Sequence, residues 1–198
     1  AESLPYVLEE LKKFDYNISI VLKSNDFETI NSIKNFDVKI IYQDGDGYGD
    51  ALIQGINYCE TDYFAIFNAD GSFDPNEINK MLNLSKNDQF DLVFGSRYQE
   101  NSGSEDDTLI TFIGNYFFTY FGKIFFNLKI SDILYTFVIG KTKKIQELGL
   151  KKKDFCLCVE LPIKAKRNNL NMISTSSFER KRIAGKKKVN AFLDGYKI

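Results

Sequence analysis

With 198 residues, 43% of them hydrophobic, the chain can fill one sizeable core, which predicts a single domain over residues 1–198. Cys59, Cys156 and Cys158 are too few and too unevenly spaced for a disulfide scaffold, and with no histidine in the chain they make no zinc site, so a reducing, cytoplasmic setting fits them best. The absence of histidine also removes the commonest general base, leaving carboxylates, bound metal and cationic side chains to carry any catalysis at a net charge of −1.

In chain order, "SLPYVLEELKKF" has helical spacing through Leu4, Val7, Leu8 and Leu11. "NISIVLK" and "VKIIYQ" are short β-branched runs, and "GDALIQGINYC" returns to helical spacing. "DYFAIFNAD" reads as a buried strand with a polar end, "DPNEINKMLNLSKN" as a helix opened by Asp74 with Pro75 at its first position, and "FDLVFGSRY" as another buried strand. This alternation predicts a mostly parallel sheet with helices on both faces and ligands beyond the carboxyl ends of the strands, where Asp70 lies.

From 109 to 130 the pattern becomes an aromatic-rich helix. Ile110, Ile113, Phe117, Phe121, Ile124 and Leu128 share one face, while Phe112, Tyr116, Tyr120 and Phe126 populate the other. A helix apolar nearly all round is expected to be buried; the rival is a helix resting in a membrane interface, with Lys123 and Lys129 at its flank. Its longest uncharged stretch, 109 to 122, falls short of the ~20 residues of a spanning helix, and no secretory signal opens the chain, so an integral membrane protein is not expected. A strand-like "LYTFVIG", a helix through "CVELPIKAKRNN" and a short "MISTSSF" strand follow, before a basic C-terminal segment at 178–198.

The near-zero net charge hides a polarity: residues 1–140 hold 10 Lys/Arg against 22 Asp/Glu, and residues 141–198 hold 16 against 5. The cationic part suits nucleic acid, anionic lipid or a phosphorylated substrate, or is simply a solvated face. Nucleic acid ranks last, because no recognisable module is present and the aromatics lie in the apolar helix rather than among the basic residues.

Three stretches, "GYGDALIQGI" at 47–56, "NADGSFDPNEI" at 68–78 and "DLVFGSRY" at 91–98, occur in an order that resembles the family-2 glycosyltransferases, in the branch containing dolichol-phosphate mannose synthase and enzymes that charge polyprenyl phosphates. Asp132 in "ISDILYTFVIG", Glu160 in "CVELPIKAKRNNL" and the ending "RIAGKKKVNAFLDGYKI" extend the resemblance over nearly the whole chain. It implies an α/β GT-A fold that moves a sugar from a UDP- or GDP-sugar donor, with inversion, to an acceptor such as a dolichyl or undecaprenyl phosphate at the cytoplasmic membrane face. Asn68-Ala69-Asp70 stands where the family has its D-x-D motif. Asp70 is therefore expected to hold Mg²⁺ or Mn²⁺ and to be catalytic, with Asn68 left to contact the donor by its amide; on its own, N-x-D-G reads equally as a turn.

An ionised phosphate acceptor, with a second pKa near ~6, needs no strong base but does need cations to hold it in line. The resemblance points to Arg97 and Arg182, with Lys188 in support, and gives Asp132 the orientation of acceptor or sugar; ion pairing or helix capping are the bland readings of the same residues. Two departures stand out. The chain opens on what looks like the family's first helix, so the first, central strand is expected to be missing; and Lys23 and Ser24 replace an acidic pair, leaving Asp26 or Glu28 to contact the nucleoside. The competing hypothesis is a truncated or degenerate domain that binds nucleotide, lipid phosphate or a protein without turnover.

Overall fold

The computed structural model describes residues 1–184. The elements in chain order are α1 (Leu4–Leu11), β1 (Ser19–Leu22), α2 (Phe27–Ile33), β2 (Lys39–Tyr42), α3 (Tyr48–Asn57), β3 (Tyr63–Ile66), α4 (Asn76–Asn87) and β4 (Leu92–Ser96). They continue through β5 (Gly103–Ser104), α5 (Leu109–Phe126), β6 (Val138–Lys141), α6 (Thr142–Gln146), α7 (Leu157–Arg167), β7 (Met172–Ser176) and β8 (Phe178–Glu179). The β/α rhythm read from the sequence is present, and the fold class is the expected α/β.

The main sheet has the order β3-β6-β4-β7. Strand β6 runs antiparallel to both its neighbours, while β4 and β7 are parallel, so β3, β4 and β7 point one way and β6 alone runs against them. The strand-like "LYTFVIG" segment is thus a strand, but one that reverses the expected direction. Strands β1 and β2 form a separate parallel pair, and β5 with β8 a short third one. Residues 4–11 are helical, and among the described residues no strand joins β1 to β3, in keeping with a sheet that lacks a central member. Helix α1 spans the two sheets: Leu4 and Leu8 pack with Leu22 and Ile33, whereas Val7 and Leu11 pack with Phe73, Met81 and Val93.

Strand β4 is buried on both faces, which is why it reads as a continuous apolar run. Leu92 and Phe94 face Ile133, Val138 and Leu161; Val93 faces Met81, Phe137 and Ile139. Each such side chain contributes roughly 1.5–3 kcal/mol by leaving water, so β4 is the spine that fixes both strand ends. At its amino end Asp91 accepts hydrogen bonds from Lys141 Nζ at 2.9 Å, Lys144 Nζ at 2.9 Å and the Asn171 amide at 3.0 Å. Burial pushes this carboxyl up, but the two lysines and the amide outweigh it and hold it below the usual carboxylate range. Glu160 does similar structural work, accepting from the amides of Lys151 and Lys152 at 2.9 and 2.7 Å and pairing with Lys164.

Helix α5 overturns the expectation of burial. Its start is fixed by a capping box between Thr108 and Thr111, and its end by Asn127 in the left-handed conformation. The fully buried residues of α5 are Asn115, Thr119 and Gly122, and of its large apolar side chains Phe118 and Phe126 pack against the core. Asn115 Oδ1 accepts from the Leu134 amide at 2.9 Å and Thr119 Oγ1 from the Ile133 amide at 3.2 Å. Gly122 lets the chain approach closely, since a Cβ there would stand 2.9 Å from Leu128 Cδ1. The other ten large apolar side chains point outward, with exposures from 40% at Phe121 to 74% at Leu109. Helix α5 is amphipathic in reverse, docked by its polar stripe.

Candidate active site

Strand β3 buries Phe64 and Ile66 and delivers Asn68, Ala69 and Asp70 just past its carboxyl end. Phe67 holds this exit edge-on against Phe73 and Phe137. Gly71 then takes a positive φ of 84°, which turns the chain so that Ser72 folds back on Asp70. Asp70 Oδ1 accepts from the Ser72 amide at 3.0 Å and the Ser72 hydroxyl at 2.7 Å. A side chain at Gly71 would be strained by that φ and would also meet Ile183, whose amide donates to Asp70 O at 2.8 Å. Residues 180–183 therefore run directly alongside the Asp70 turn, with the Arg180 amide donating to Ser72 O at 2.8 Å.

This strap carries Arg182 into the site. Its guanidinium donates to Asp106 Oδ2 at 2.6 Å from Nη2 and at 3.2 Å from Nε, and its Nη1 lies 3.8 Å from Asp70 Oδ2. The hydrogen bond to Asp106 holds the Arg182 pKa above its ordinary value. Tyr48, at the start of α3, reaches the same edge: its hydroxyl lies 2.9 Å from Thr136 Oγ1 and 3.1 Å from Asn68 Oδ1. Although 37% of Tyr48 is exposed, its hydroxyl end is the sheltered part, and loss of water there pushes its pKa well above the ordinary tyrosine value. Tyr48 and Thr136 were not singled out in the sequence; the only signal was the position of Tyr48 between two glycines ahead of a helix.

Of the expected site residues, the structure brings Asn68, Asp70 and Arg182 together. Arg97 and Asp132 meet each other in a buried ion pair. Asp132 is fully buried and accepts from Arg97 Nε at 2.8 Å, Nη2 at 3.0 Å and the Arg97 amide at 3.1 Å. Arg97 Nη1 donates to Glu179 Oε2 at 3.1 Å, and that oxygen also accepts from the Ser104 hydroxyl at 2.5 Å. The guanidinium lies 4.7 Å from the Tyr135 ring and 5.3 Å from the Tyr98 ring. Burial works against its charge, but Asp132 and Glu179 outweigh burial and keep Arg97 firmly protonated. With 9% of its side chain exposed, Arg97 commits three of its five N–H groups, one from each guanidinium nitrogen, to the carboxylates of Asp132 and Glu179. The pair joins β4, the 130s loop and β8.

Asp26, expected to contact the donor, caps α2: its Oδ1 accepts from the Thr29 amide at 3.1 Å. Lys23, the substitute for an acidic residue, pairs with Asp46 at 2.5 Å and donates to Gly45 O, closing the carboxyl end of the β1–β2 pair. Lys188 lies outside the described residues.

Whether this edge suits a divalent cation is decided by the oxygens it presents. Asp70 Oδ1 is oriented by Ser72, which turns Oδ2 outward on a side chain that is 25% exposed. Among the described residues no three Asp, Glu, Cys or His side chains cluster as a ready-made cage. Asp70 fits a Mg²⁺ or Mn²⁺ ion that keeps waters and takes its remaining ligands from a diphosphate, which is how such ions are commonly bound.

Residues 1–149 match the glycosyl transferase family 2. The chain is 32% identical over 94 residues to the low-salt glycan biosynthesis hexosyltransferase Agl6 of Haloferax volcanii, a match covering 47% of this chain and 23% of that relative. Among solved structures it is similar to glucosyl-3-phosphoglycerate synthase of Mycobacterium tuberculosis in complex with Mn²⁺, UDP and glucosyl-3-phosphoglycerate, with a TM-score of 0.73 and 10% identity over 93% of this chain and 68% of that one. It is also similar to mannosyl-3-phosphoglycerate synthase of Rubrobacter xylanophilus, with a TM-score of 0.65 and 12% identity over 99% and 69% of the two chains. At these identities the structures speak for the fold, which is GT-A. With a turn-held aspartate at the end of β3 and the family match over three quarters of its length, the chain belongs to glycosyl transferase family 2.

Proposed function

We propose that this chain transfers a hexose, with inversion, from a UDP- or GDP-sugar to the phosphate of a polyprenyl-phosphate acceptor, acting peripherally at the cytoplasmic membrane face. The observation that carries this reading is the placement of Asp70 and Arg182 side by side, 3.8 Å apart, at the carboxyl edge of the sheet. One group suits a cation bound to the donor diphosphate and the other suits an anionic acceptor. The hexosyltransferase role of the Haloferax relative and the Mn²⁺ and UDP in the mycobacterial complex support a nucleotide-sugar donor.

In this scheme an acceptor phosphate oxygen forms a bond to the anomeric carbon as the bond from that carbon to the diphosphate breaks. The nucleophile is ionised near neutral pH, so no protein base has to remove a proton. Arg182 holds the acceptor phosphate through the free edge of its planar guanidinium, whose Nε–Nη2 edge is positioned by Asp106. Asn68, fixed by Tyr48, accepts from a sugar hydroxyl. A divalent ion, when bound at Asp70, offsets the charge that builds on the departing nucleoside diphosphate.

The test is a donor and acceptor screen. UDP- and GDP-hexoses are offered with undecaprenyl phosphate in vesicles or with soluble 3-phosphoglycerate, the acceptor class of the structural neighbours. Transfer to the lipid phosphate in the presence of Mn²⁺ is the expected result. Transfer to phosphoglycerate alone would refute the lipid acceptor, and Mn²⁺-dependent nucleotide binding without transfer to either would favour a non-catalytic domain.

A further inference from the structure

The peripheral placement above follows from the lipid-phosphate acceptor; a separate element of the fold bears on it. We propose that the outward face of α5 is a membrane-docking surface that lies in the interface of an anionic bilayer. This deepens the peripheral-membrane reading and does not depend on the acceptor being a lipid.

The first argument is the size of the exposed face. Ile113, Tyr116, Phe117, Tyr120, Phe121 and Ile124 are all at least 40% exposed, and at ~100° per residue the outward large side chains of α5 sweep roughly 220° of its circumference. The rings build a continuous sheath, with Phe117 tilted 4.4 Å from Phe121, Phe121 stacked 5.3 Å from Phe125, and Tyr116 stacked 6.4 Å from Tyr120. Water-exposed apolar patches of this kind mark an interaction surface. A partner helix covers a stripe of about 100°, less than half of what is exposed. A fluid apolar phase can follow the whole arc.

The second argument is charge. Residues 109–131 contain Lys123 and Lys129 and no Asp or Glu. At the C-terminal end of α5 a cleft lined by Ile124 and Phe125 is rimmed by Lys166 and Arg167 of α7, with the Arg167 guanidinium 5.6 Å from the Phe126 ring. Cations beside exposed aromatic side chains are what an anionic headgroup layer meets on an interfacial helix. A second copy of this chain would bring the same cations against themselves.

The third argument is tethering. With 18 residues the helix is long and apolar enough to cross a membrane by length and composition, but Asn115 and Thr119 bind it to the 133–134 backbone along its middle. It therefore lies along the domain, and the domain takes the place of the polar face of an amphipathic helix. Its N-cap Thr108 is two residues from Asp106, the partner of Arg182. The bilayer surface that α5 rests on thus runs up to the acceptor cation.

The test uses the 198-residue chain and vesicles containing no polyprenyl phosphate, so that docking and acceptor choice are read separately. With phosphatidylcholine and phosphatidylglycerol vesicles, flotation should fall at least tenfold for the double variant Ile113→Glu, Phe117→Glu. The far-UV spectrum should be unchanged, because both side chains already face water. The chain has no tryptophan, so Tyr116→Trp supplies a lone reporter whose emission should shift to the blue and be quenched by brominated lipid. Lys123→Glu with Arg167→Glu should weaken binding to anionic vesicles in a salt-dependent way. Unshifted emission from Trp at 116, equal flotation of the double variant, or a vesicle-free dimer that the double variant converts to monomer would each overturn the proposal. Failed transfer to a lipid acceptor with intact flotation would instead count against the function proposed above.

Discussion

Two arginines of one chain, Arg97 and Arg182, have opposite surroundings. Arg97 is sealed among Asp132, Glu179 and two tyrosine rings, with every guanidinium nitrogen committed to a carboxylate. Arg182 holds Asp106 with one side of its fork, keeps Nη1 toward Asp70, and retains 21% of its side-chain surface. A buried cation with two carboxylates organises backbone; a partly wet one beside a metal-type aspartate can take a ligand. The difference is one of solvent access: near a strand end an arginine enclosed by carboxylates braces the fold, and one whose fork is partly wet offers a grip for a ligand.

The sharpest way to break this comparison is to remove the sealed arginine. Arg97→Ala leaves Asp132 and Glu179 buried without a counter-charge and should cost about 3–5 kcal/mol of stability, read as a lower midpoint in urea. If the loss were under about 1 kcal/mol, Arg97 would not be the structural centre described here. Arg97→Lys should recover only part of it, because an ammonium cannot reproduce the forked bond to Asp132.

A third charge cluster lies between the two extremes. Asp91 is buried, but Lys144 is about half exposed, so the pair is discounted for solvent; Asp91→Asn should cost about 1–2 kcal/mol at pH 7. The sign with pH follows from its depressed pKa. The contribution is present above the unfolded carboxylate value of about 3.9 and is lost as pH falls through the lower folded value. Denaturation curves of the two proteins should therefore converge in strong acid; a constant gap would contradict the assignment.

At the open site the expected effects are on binding rather than folding. Arg182→Lys should change stability by no more than about 0.5 kcal/mol, since its ion pair is partly solvated, yet lower transfer by about tenfold through loss of the two-pronged grip. Equal transfer rates would place the acceptor elsewhere. The smallest expected effect is that of Asn68→Asp, which adds the missing carboxylate and should raise Mn²⁺-dependent nucleotide affinity a few-fold; no change would mean that position 68 does not face the cation.

Much of this was legible in the residues. The alternation of apolar runs placed α1, α3, α4, β3 and β4, and the polar exit of "FAIFNAD" placed Asp70 just past the strand end, although β3 proves to be an edge strand that exposes Ala65 between buried Phe64 and Ile66. The direction of β6 was not legible, since a short apolar run carries no sign. The 35-residue separation hid the pairing of Arg97 with Asp132, which only the fold brings within 2.8 Å. Helix α5 misled for a physical reason: apolar content reports a preference to leave water and not the phase that receives the side chain. The signal that could have corrected it is the spacing of Asn115, Thr119 and Gly122, small or polar residues on one helical stripe in an otherwise apolar segment.

The central claim is that Asp70, at the open end of β3, makes nucleotide binding depend on a divalent cation. Titration of UDP and GDP into the 198-residue chain with Mn²⁺ and with a chelator, repeated for Asp70→Asn, tests it most directly. The account predicts affinity that rises at least tenfold with Mn²⁺ in the unsubstituted chain and does not respond to Mn²⁺ in Asp70→Asn, because a neutral amide cannot replace the charge a hard cation requires. Equal nucleotide affinity with and without the metal in the unsubstituted chain, or an unchanged Mn²⁺ response in Asp70→Asn, would contradict it.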